Sequence, residues 1–226
     1  MSRTRELAAG GRAVEVEPER LGGFLERFAA GHGGVVATTV APQRVDLTAG
    51  DGWTASIPVP FGPLAAQPGK QTGQAVDDLL GHLMVPRTVG LLLVRLGGYS
   101  VGIARAGVVL TSSTGSRLVH GRSAAGGQSQ QRFARRREGQ ARVALRAAAD
   151  AAARVLLPRA AELDAIVVGG DAAALRSLTA EPRLAALLER AEPRVLDTPE
   201  PRRAVLDEAA RRARCVEVQL HPPGQH

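Results

Sequence analysis

The sequence is poor in several residue types, and each scarcity narrows what the chain can be. A single cysteine, Cys215, among 226 residues rules out an internal disulfide and a zinc site built on cysteines. Aromatic side chains make up only 3%, so the core must be built mostly from Val, Leu and Ala. The longest apolar runs, such as Val89–Val94, are far shorter than the ~20 residues of a membrane span. The first residues contain no apolar stretch typical of a secretory signal, and we therefore expect a cytoplasmic protein.

Acidic side chains are absent from the long stretch between Leu79 and Arg137. The net charge of +7 has its origin in the same part of the chain, because residues 117–146 contain eight arginines and one acid, Glu138. A patch of one sign attracts polyanions, above all the phosphates of nucleic acids. The alternative is a solvated helix face, but such a face normally mixes both signs of charge. The pattern therefore favours a nucleic-acid partner.

Hydrophobic periodicity predicts two regions. In residues 1–85 it indicates a helix around Leu21–Phe28, three short strands between residues 35 and 59, and a second helix that ends before Pro86. We find no cluster typical of chemistry in this region, whose role stays open. We expect it to be a small α+β region that precedes a second domain of residues 86–226.

The second region combines strands with helices. It begins with a predicted β-hairpin of Val89–Leu96 and Tyr99–Ala104, followed by strands Gly107–Ser112 and Ser116–His120 and a long helix Ser129–Leu157. A strand Ala165–Val168 then leads through a glycine turn into a helix from Ala172, and a further helix is predicted over 182–190. The last predicted elements are a brief strand at Val195-Leu196, a helix capped by Thr198 that runs to Ala213, and a strand Cys215–Leu220. Strands followed by alternating helices and strands predict an α/β fold with a mixed sheet.

The tripeptide Gly126-Gly127-Gln128 precedes the long helix. Two adjacent glycines let the backbone approach a ligand closely, and the unpaired N–H groups of a helix start stabilise negative charge. A neutral amide and backbone N–H groups can position a water and stabilise an oxyanion, which suits an activated ester better than an amide or a phosphodiester. His120 has no Ser or Asp partner at a suggestive spacing. Since the segment is basic, an aminoacyl or peptidyl ester on tRNA is the candidate substrate.

Arginines surround this tripeptide. On a helical wheel, Arg132, Arg135, Arg136, Arg142 and Arg146 fall within one arc of about 120°. A second, apolar arc that includes Phe133 and Ala148 is predicted to pack on the sheet. Together with Arg122, which precedes the loop, the five arginines are candidate RNA contacts. An ordinary flexible loop remains the alternative for a GGQ tripeptide that stands alone.

The stretch GGQSQQRFARRREGQARV resembles the GGQ segment in the catalytic middle domain of archaeal and eukaryotic class I release factors. There, too, the GGQ is followed by Ser and then by Arg-Phe-Ala-Arg, at the spacing of Arg132-Phe133-Ala134-Arg135. The His-Val-Asn continuation usual in bacterial release factors is absent. The similarity runs loosely over residues 88–220 and is greatest to the Vms-type release-factor-like peptidyl-tRNA hydrolases, in particular a compact actinobacterial branch.

This resemblance implies a ribonuclease-H-like core and a function in ribosome rescue. Gln128 would orient the water or the ester, Gly126 and Gly127 would give the loop its close-approach conformation, and the arginines would contact RNA phosphates. The implied partners are the large ribosomal subunit, its ribosomal RNA and peptidyl-tRNA, without a membrane, a metal or a cofactor. Two alternatives remain open: a non-catalytic ribosome- or RNA-binding module of the same fold, and a ribonuclease-H-like nuclease, which the acid-free span opposes.

Overall fold

The computed structural model describes residues 3–7, 10–95, 97–116 and 128–224, and along the helix that begins at Gln128 it describes the side chains of residue 139 and of 142 onward. The strands are β1 Thr4–Glu6, β2 Arg12–Val16, β3 Val35–Ala41, β4 Arg44–Ala49, β5 Thr54–Pro58, β6 Gly69–Thr72, β7 Thr88–Arg95, β8 Gly98–Arg105, β9 Val108–Ser116, β10 Ala165–Gly170 and β11 Val216–His221. The helices are α1 Pro18–Gly31, α2 Asp77–Met84, α3 Gln128–Leu156, a 3-10 helix Leu157–Glu162, α4 Ala172–Thr179, α5 Ala185–Leu188 and α6 Arg203–Arg214.

The chain divides into two compact units. Unit 1 combines Met1–Pro86 with Arg214–His226, and unit 2 is Arg87–Ala213. The expectation that everything after residue 85 forms one domain is therefore wrong for the last residues. Strand β11 pairs with β2 and β5 of unit 1, because its alternating side chains Val216, Val218 and Leu220 join the core of that unit.

Unit 1 is an antiparallel sheet with two helices. Its strand order is β1-β2-β11-β5-β4-β3-β6. Helix α1 begins at Pro18, whose fixed φ suits a first turn, and buries Leu21, Leu25 and Phe28. Leu79 and Leu83 of α2 enter the same core. The predicted helices and strands are present, whereas β1, β2 and β6 were not predicted.

Unit 2 contains a four-stranded mixed sheet in the order β10-β7-β8-β9. Strands β7, β8 and β9 form an antiparallel meander, and β10 runs parallel to β7. Isolated parallel bridges join Ile166 to Ala191 and Gly169 to Leu196, and so extend the sheet beyond β10. The mixed α/β sheet expected from the sequence, with the meander-then-parallel order of a ribonuclease-H-like core, is thus confirmed. The third strand of the meander, β9, contains most of the predicted strand Gly107–Ser112 and continues to Ser116. Residues 117–120 of the predicted strand Ser116–His120 lie outside the described part of the chain.

Helices cover both faces of this sheet. A Cβ at Gly90 of β7 would meet Leu156 of α3, whereas a Cβ at Gly102 of β8 would meet Leu206 of α6. Gly102 pairs with Leu91, the neighbour of Gly90, and adjacent strand residues face opposite sides. The α3 face and the α6 face of the sheet are therefore opposite faces, which makes unit 2 a three-layer α/β/α structure.

The turn between β10 and α4 agrees with its sequence interpretation as a strand-to-helix turn. Gly170 has φ +109°, and a Cβ there would lie 2.0 Å from the Val94 carbonyl oxygen, so only glycine fits. Asp171 then caps α4, because its carboxylate accepts from the N–H groups of Ala173 and Ala174 at 2.8 and 3.0 Å. Two later predictions need correction: the helix expected over 182–190 is the four-residue α5, and Thr198 is buried several residues before α6 begins and does not cap it.

Candidate catalytic and RNA-binding site

The glutamine of the GGQ tripeptide is the first residue of α3. The predicted helix began one residue later, at Ser129, so Gln128 is itself part of the helix. Gly126, Gly127 and Arg122 lie outside the described residues. In the sequence, the two glycines directly precede the first residue of the helix.

The amino end of α3 has the electrostatics that an anionic group prefers. The first N–H groups of any helix have no partner within the helix, and the helix dipole places partial positive charge at that end. The first turn of α3 contains no acidic residue that would cancel this charge. The backbone at Gln128 is therefore suited to stabilise developing negative charge.

The opposite half of α3 is anchored in unit 2. Small alanines at Ala148, Ala149, Ala151 and Ala152 are 0–2% exposed, and Leu156 is fully buried. They form one core with the β7 and β8 side chains that face α3. Gln128 lies 20 residues before Ala148, which corresponds to about 30 Å along the helix axis at ~1.5 Å per residue. One continuous helix thus links the tripeptide to the core of the domain.

Five of the six candidate arginines lie on this helix. Arg132, Arg135 and Arg136 belong to the first turns of α3, and the structure describes only their backbone. Arg142 and Arg146 are exposed and four residues apart, so they occupy the same helix face. Within the described residues neither forms an ion pair.

Arg142 and Arg146 border an open groove of about 850 Å³ between α3 and the segment from Ser177 to Arg183. Arg183, which also lines this groove, bridges two acids: its Nη1 lies 2.9 Å from Asp150 Oδ1 and its Nε lies 2.7 Å from Glu181 Oε1. The hydrogen bond that Arg183 donates to Glu181 is the main reason why the pKa of Glu181 lies below its usual value, so this carboxylate stays ionised. The guanidinium of Arg183 is thereby neutralised, whereas Arg142 and Arg146 form no ion pair with an acid whose side chain the structure describes.

The balance of basic and acidic residues also differs between the two units. Unit 2 contains 21 arginines against 12 acids, whereas unit 1 contains 8 basic and 10 acidic residues. The excess positive charge therefore belongs to the unit that carries the GGQ tripeptide.

Two arginines that the sequence analysis did not single out lie beside strand β9. Arg154 of α3 donates to Ser113 Oγ at 3.1 Å, and Arg203 of α6 donates to Ser112 Oγ at 3.0 Å. No signal in the sequence links Arg203 to Ser112, because they are 91 residues apart and belong to different elements. Only the fold brings them together.

Comparison with protein families decides the relationship. The family model of the Actinobacteria/chloroflexi VLRF1 release factor matches residues 87–219, which is more than half of the chain. The chain belongs to the Actinobacteria/chloroflexi VLRF1 release factor family. The VLRF1 match begins at the first residue of unit 2 and extends into β11, and it includes Gly126, Gly127, Gln128 and all of α3.

Solved structures resemble this VLRF1 family member more distantly. One, described as an archaeal protein, has a TM-score of 0.37 and 14% identity over 72% of this chain and 48% of its own, so the chain spans about half of its length. The crystal structure of the archaeal translation termination factor aRF1 has a TM-score of 0.41 and 14% identity, over 88% of this chain and 70% of its own. These likenesses are too distant to support an inference about function. No curated protein matches the sequence, and no helix among the described residues is both long and apolar enough to span a bilayer.

Proposed function

We propose that this VLRF1 family member is a peptidyl-tRNA hydrolase that releases nascent chains on the large ribosomal subunit during ribosome rescue. Membership of a release-factor family gives the general role in translation. The observation that carries the specific proposal is the position of Gly126-Gly127-Gln128 directly before and at the first residue of a 29-residue helix anchored in the domain core. Such a helix holds a short reactive loop at a fixed distance from the body of the protein.

The chemistry follows from the groups that this loop offers. Gln128 orients the attacking water or the ester, and its backbone N–H donates to the oxyanion that forms when water adds to the ester carbonyl. Gly126 and Gly127 permit the close approach of the loop to the ester because they lack a Cβ. A peptidyl-tRNA ester is activated enough for positioning and charge stabilisation to suffice, and loss of one such group typically reduces a rate by ~10²–10³.

RNA binding follows from the arginines. Arg142 and Arg146 are exposed and free of ion pairs with described residues, and together with Arg122, Arg132, Arg135 and Arg136 we assign them to phosphates of ribosomal RNA or tRNA. Unit 1, with more acids than bases, has no charge excess that would hold the small subunit. We therefore propose that release does not depend on the codon in the A site. Since the proposed partner is the ribosome, we also propose that the protein acts in the cytoplasm.

Purified ribosome–nascent-chain complexes test this function. Peptide release and ribosome binding are measured in parallel, on ribosomes that display a stop codon or a sense codon. We expect equal release at both kinds of codon. Binding without release would favour a non-catalytic ribosome-binding module, and strong stop-codon dependence would indicate a termination factor instead of a rescue factor.

A further inference from the structure

Among the described strands of unit 2, β9 is the outermost strand of the sheet on its side, and it has an arginine on each of its two faces. We propose that this edge, formed by Arg154, Arg203 and the hydroxyl groups of Ser112 and Ser113, is a second contact for the phosphate backbone of RNA. The inference rests on the proposed function for the identity of the partner as RNA, but it concerns residues other than those of the GGQ tripeptide and other than Arg142 and Arg146.

The pairing register explains how two helices reach the same edge. Ser112 pairs with Gly102, which faces α6, whereas Ser113 pairs with Val101, which belongs to the core beneath α3. Arg203 from α6 therefore reaches Ser112 on one face, and Arg154 from α3 reaches Ser113 on the other. Because the two serines are consecutive, the two guanidinium groups are held at neighbouring positions along the strand, one on each face of the sheet.

The charges and donors at this point suit a phosphate. Each guanidinium has five N–H donors and uses only part of them on a serine hydroxyl, so further donors are available. Strands β7, β8 and β9 contain no acidic residue. Arg203 also forms an ion pair with Asp207, in which its Nε lies 3.1 Å from Asp207 Oδ1 and the two side chains are 57% and 38% exposed. A pair this exposed is weak and can yield to a phosphate.

An edge strand can also accept an extended peptide, but the features of β9 favour RNA. The register shifts between Ile103 and Ala104, so that Leu110 is an extra residue, and such a bulge interrupts the regular backbone ladder that a peptide would need. The five residues Thr111–Gly115 carry no large apolar side chain that would select a peptide. Hydroxyl groups flanked by arginines recognise a backbone without reading a sequence.

Equilibrium binding over a salt series tests the proposal with the full chain and two probes, deacylated tRNA and isolated large ribosomal subunits. Each phosphate contact contributes about 0.7–0.9 to the slope of log affinity against log salt. We expect Arg154→Ala and Arg203→Ala each to reduce that slope by about one contact, and the double variant by about two. Arg211→Ala is the matched control, because Arg211 is also an exposed α6 arginine that pairs with a nearby acid, Glu208.

Two further variants separate a charge effect from a loss of folding. Arg154→Lys keeps the charge and should retain most of the salt slope that Arg154→Ala loses. Asp207→Asn removes the competing carboxylate and should tighten binding about twofold, as expected for the loss of an i,i+4 ion pair. If Arg154→Lys lost as much of the salt slope as Arg154→Ala, the positive charge would not be what matters at this position. That result would assign Arg154 a structural role only and would overturn the proposal.

The two probes also distinguish the source of the phosphates. A slope change with tRNA alone assigns the edge to tRNA, and a change with subunits alone assigns it to ribosomal RNA. An unchanged slope with both probes in the double variant refutes the site even if the wild type releases peptide. Conversely, absence of peptide release by a wild type that shows the expected slopes would refute the hydrolase function and leave this site intact.

Discussion

Gly90 occupies a buried position in β7 that has no room for a methyl group. A Cβ there would lie 2.6 Å from Ile166 Cδ1, 3.1 Å from Leu163 Cδ1 and 3.3 Å from Leu156 Cδ2. Overpacking of a core costs about 1–3 kcal/mol, and the stiffer unfolded chain of an alanine variant offsets about 0.4–1 kcal/mol of this. Gly90→Ala should therefore lower the free energy of unfolding of unit 2 by about 1–2 kcal/mol.

A double-mutant cycle gives the sharpest test of this packing. Ile166→Val deletes the methyl group at the shortest contact and alone should cost about 0.5–1.5 kcal/mol. Combined with Gly90→Ala it should cost about 1 kcal/mol less than the sum, whereas the same deletion at the fully buried Ile57 of unit 1 should be additive. Urea unfolding is followed by circular dichroism, with the single Trp53 as the fluorescent probe of unit 1 and the single Tyr99 as that of unit 2. Additivity of Gly90→Ala and Ile166→Val would show that the Ile166 methyl group is not what excludes a side chain at Gly90.

Two further predictions concern charged groups. Arg142→Ala combined with Arg146→Ala should reduce the salt slope of large-subunit binding by about 1.4–1.8, the loss expected for two phosphates, whereas Arg159→Ala, which removes an arginine already held in an ion pair, should leave it unchanged. In unit 1, the pKa of Glu19 lies below its usual value because its own backbone N–H and then the Arg214 side chain hydrogen-bond to the ionised carboxylate. A lowered folded-state pKa adds stability above the unfolded-state pKa that is lost as the pH falls through the folded-state value. In thermal melts the Glu19→Gln variant should therefore be less stable than the wild type at about pH 7. The difference in stability should shrink as the pH falls from about pH 5 towards pH 3. A difference that stays constant with pH would show that the ionised carboxylate of Glu19 is not its cause.

Local periodicity predicts most elements of this fold because their signals lie within a few residues of one another. Helix α3 begins and ends within one residue of its prediction. Its signals are local, because the apolar positions repeat within a few residues and Pro158 follows shortly after the helix. Strand β2 carried a usable signal in the alternation of Val14 and Val16. Strand β6 carried none, because its four residues are polar or glycine and all are exposed.

Contacts between distant segments could not be predicted in this way. The alternating side chains of β11 would suit either sheet, and only the pairing with β2 shows that the strand belongs to unit 1. The same limit applies to the site. The GGQ tripeptide and the arginines of α3 are neighbours in sequence and could be found there, whereas Arg203 comes to β9 only through the packing of α6.

The proposed function requires that Gln128 at the start of α3 takes part in ester hydrolysis. The rate of peptide release from isolated large subunits that carry peptidyl-tRNA tests it directly, with Gln128→Ala compared with the wild type and with Gln131→Ala as a control in the same helix. We expect a rate lower by ~10²–10³ for Gln128→Ala, unchanged binding, and a wild-type rate for Gln131→Ala. Release by Gln128→Ala at the wild-type rate would contradict it.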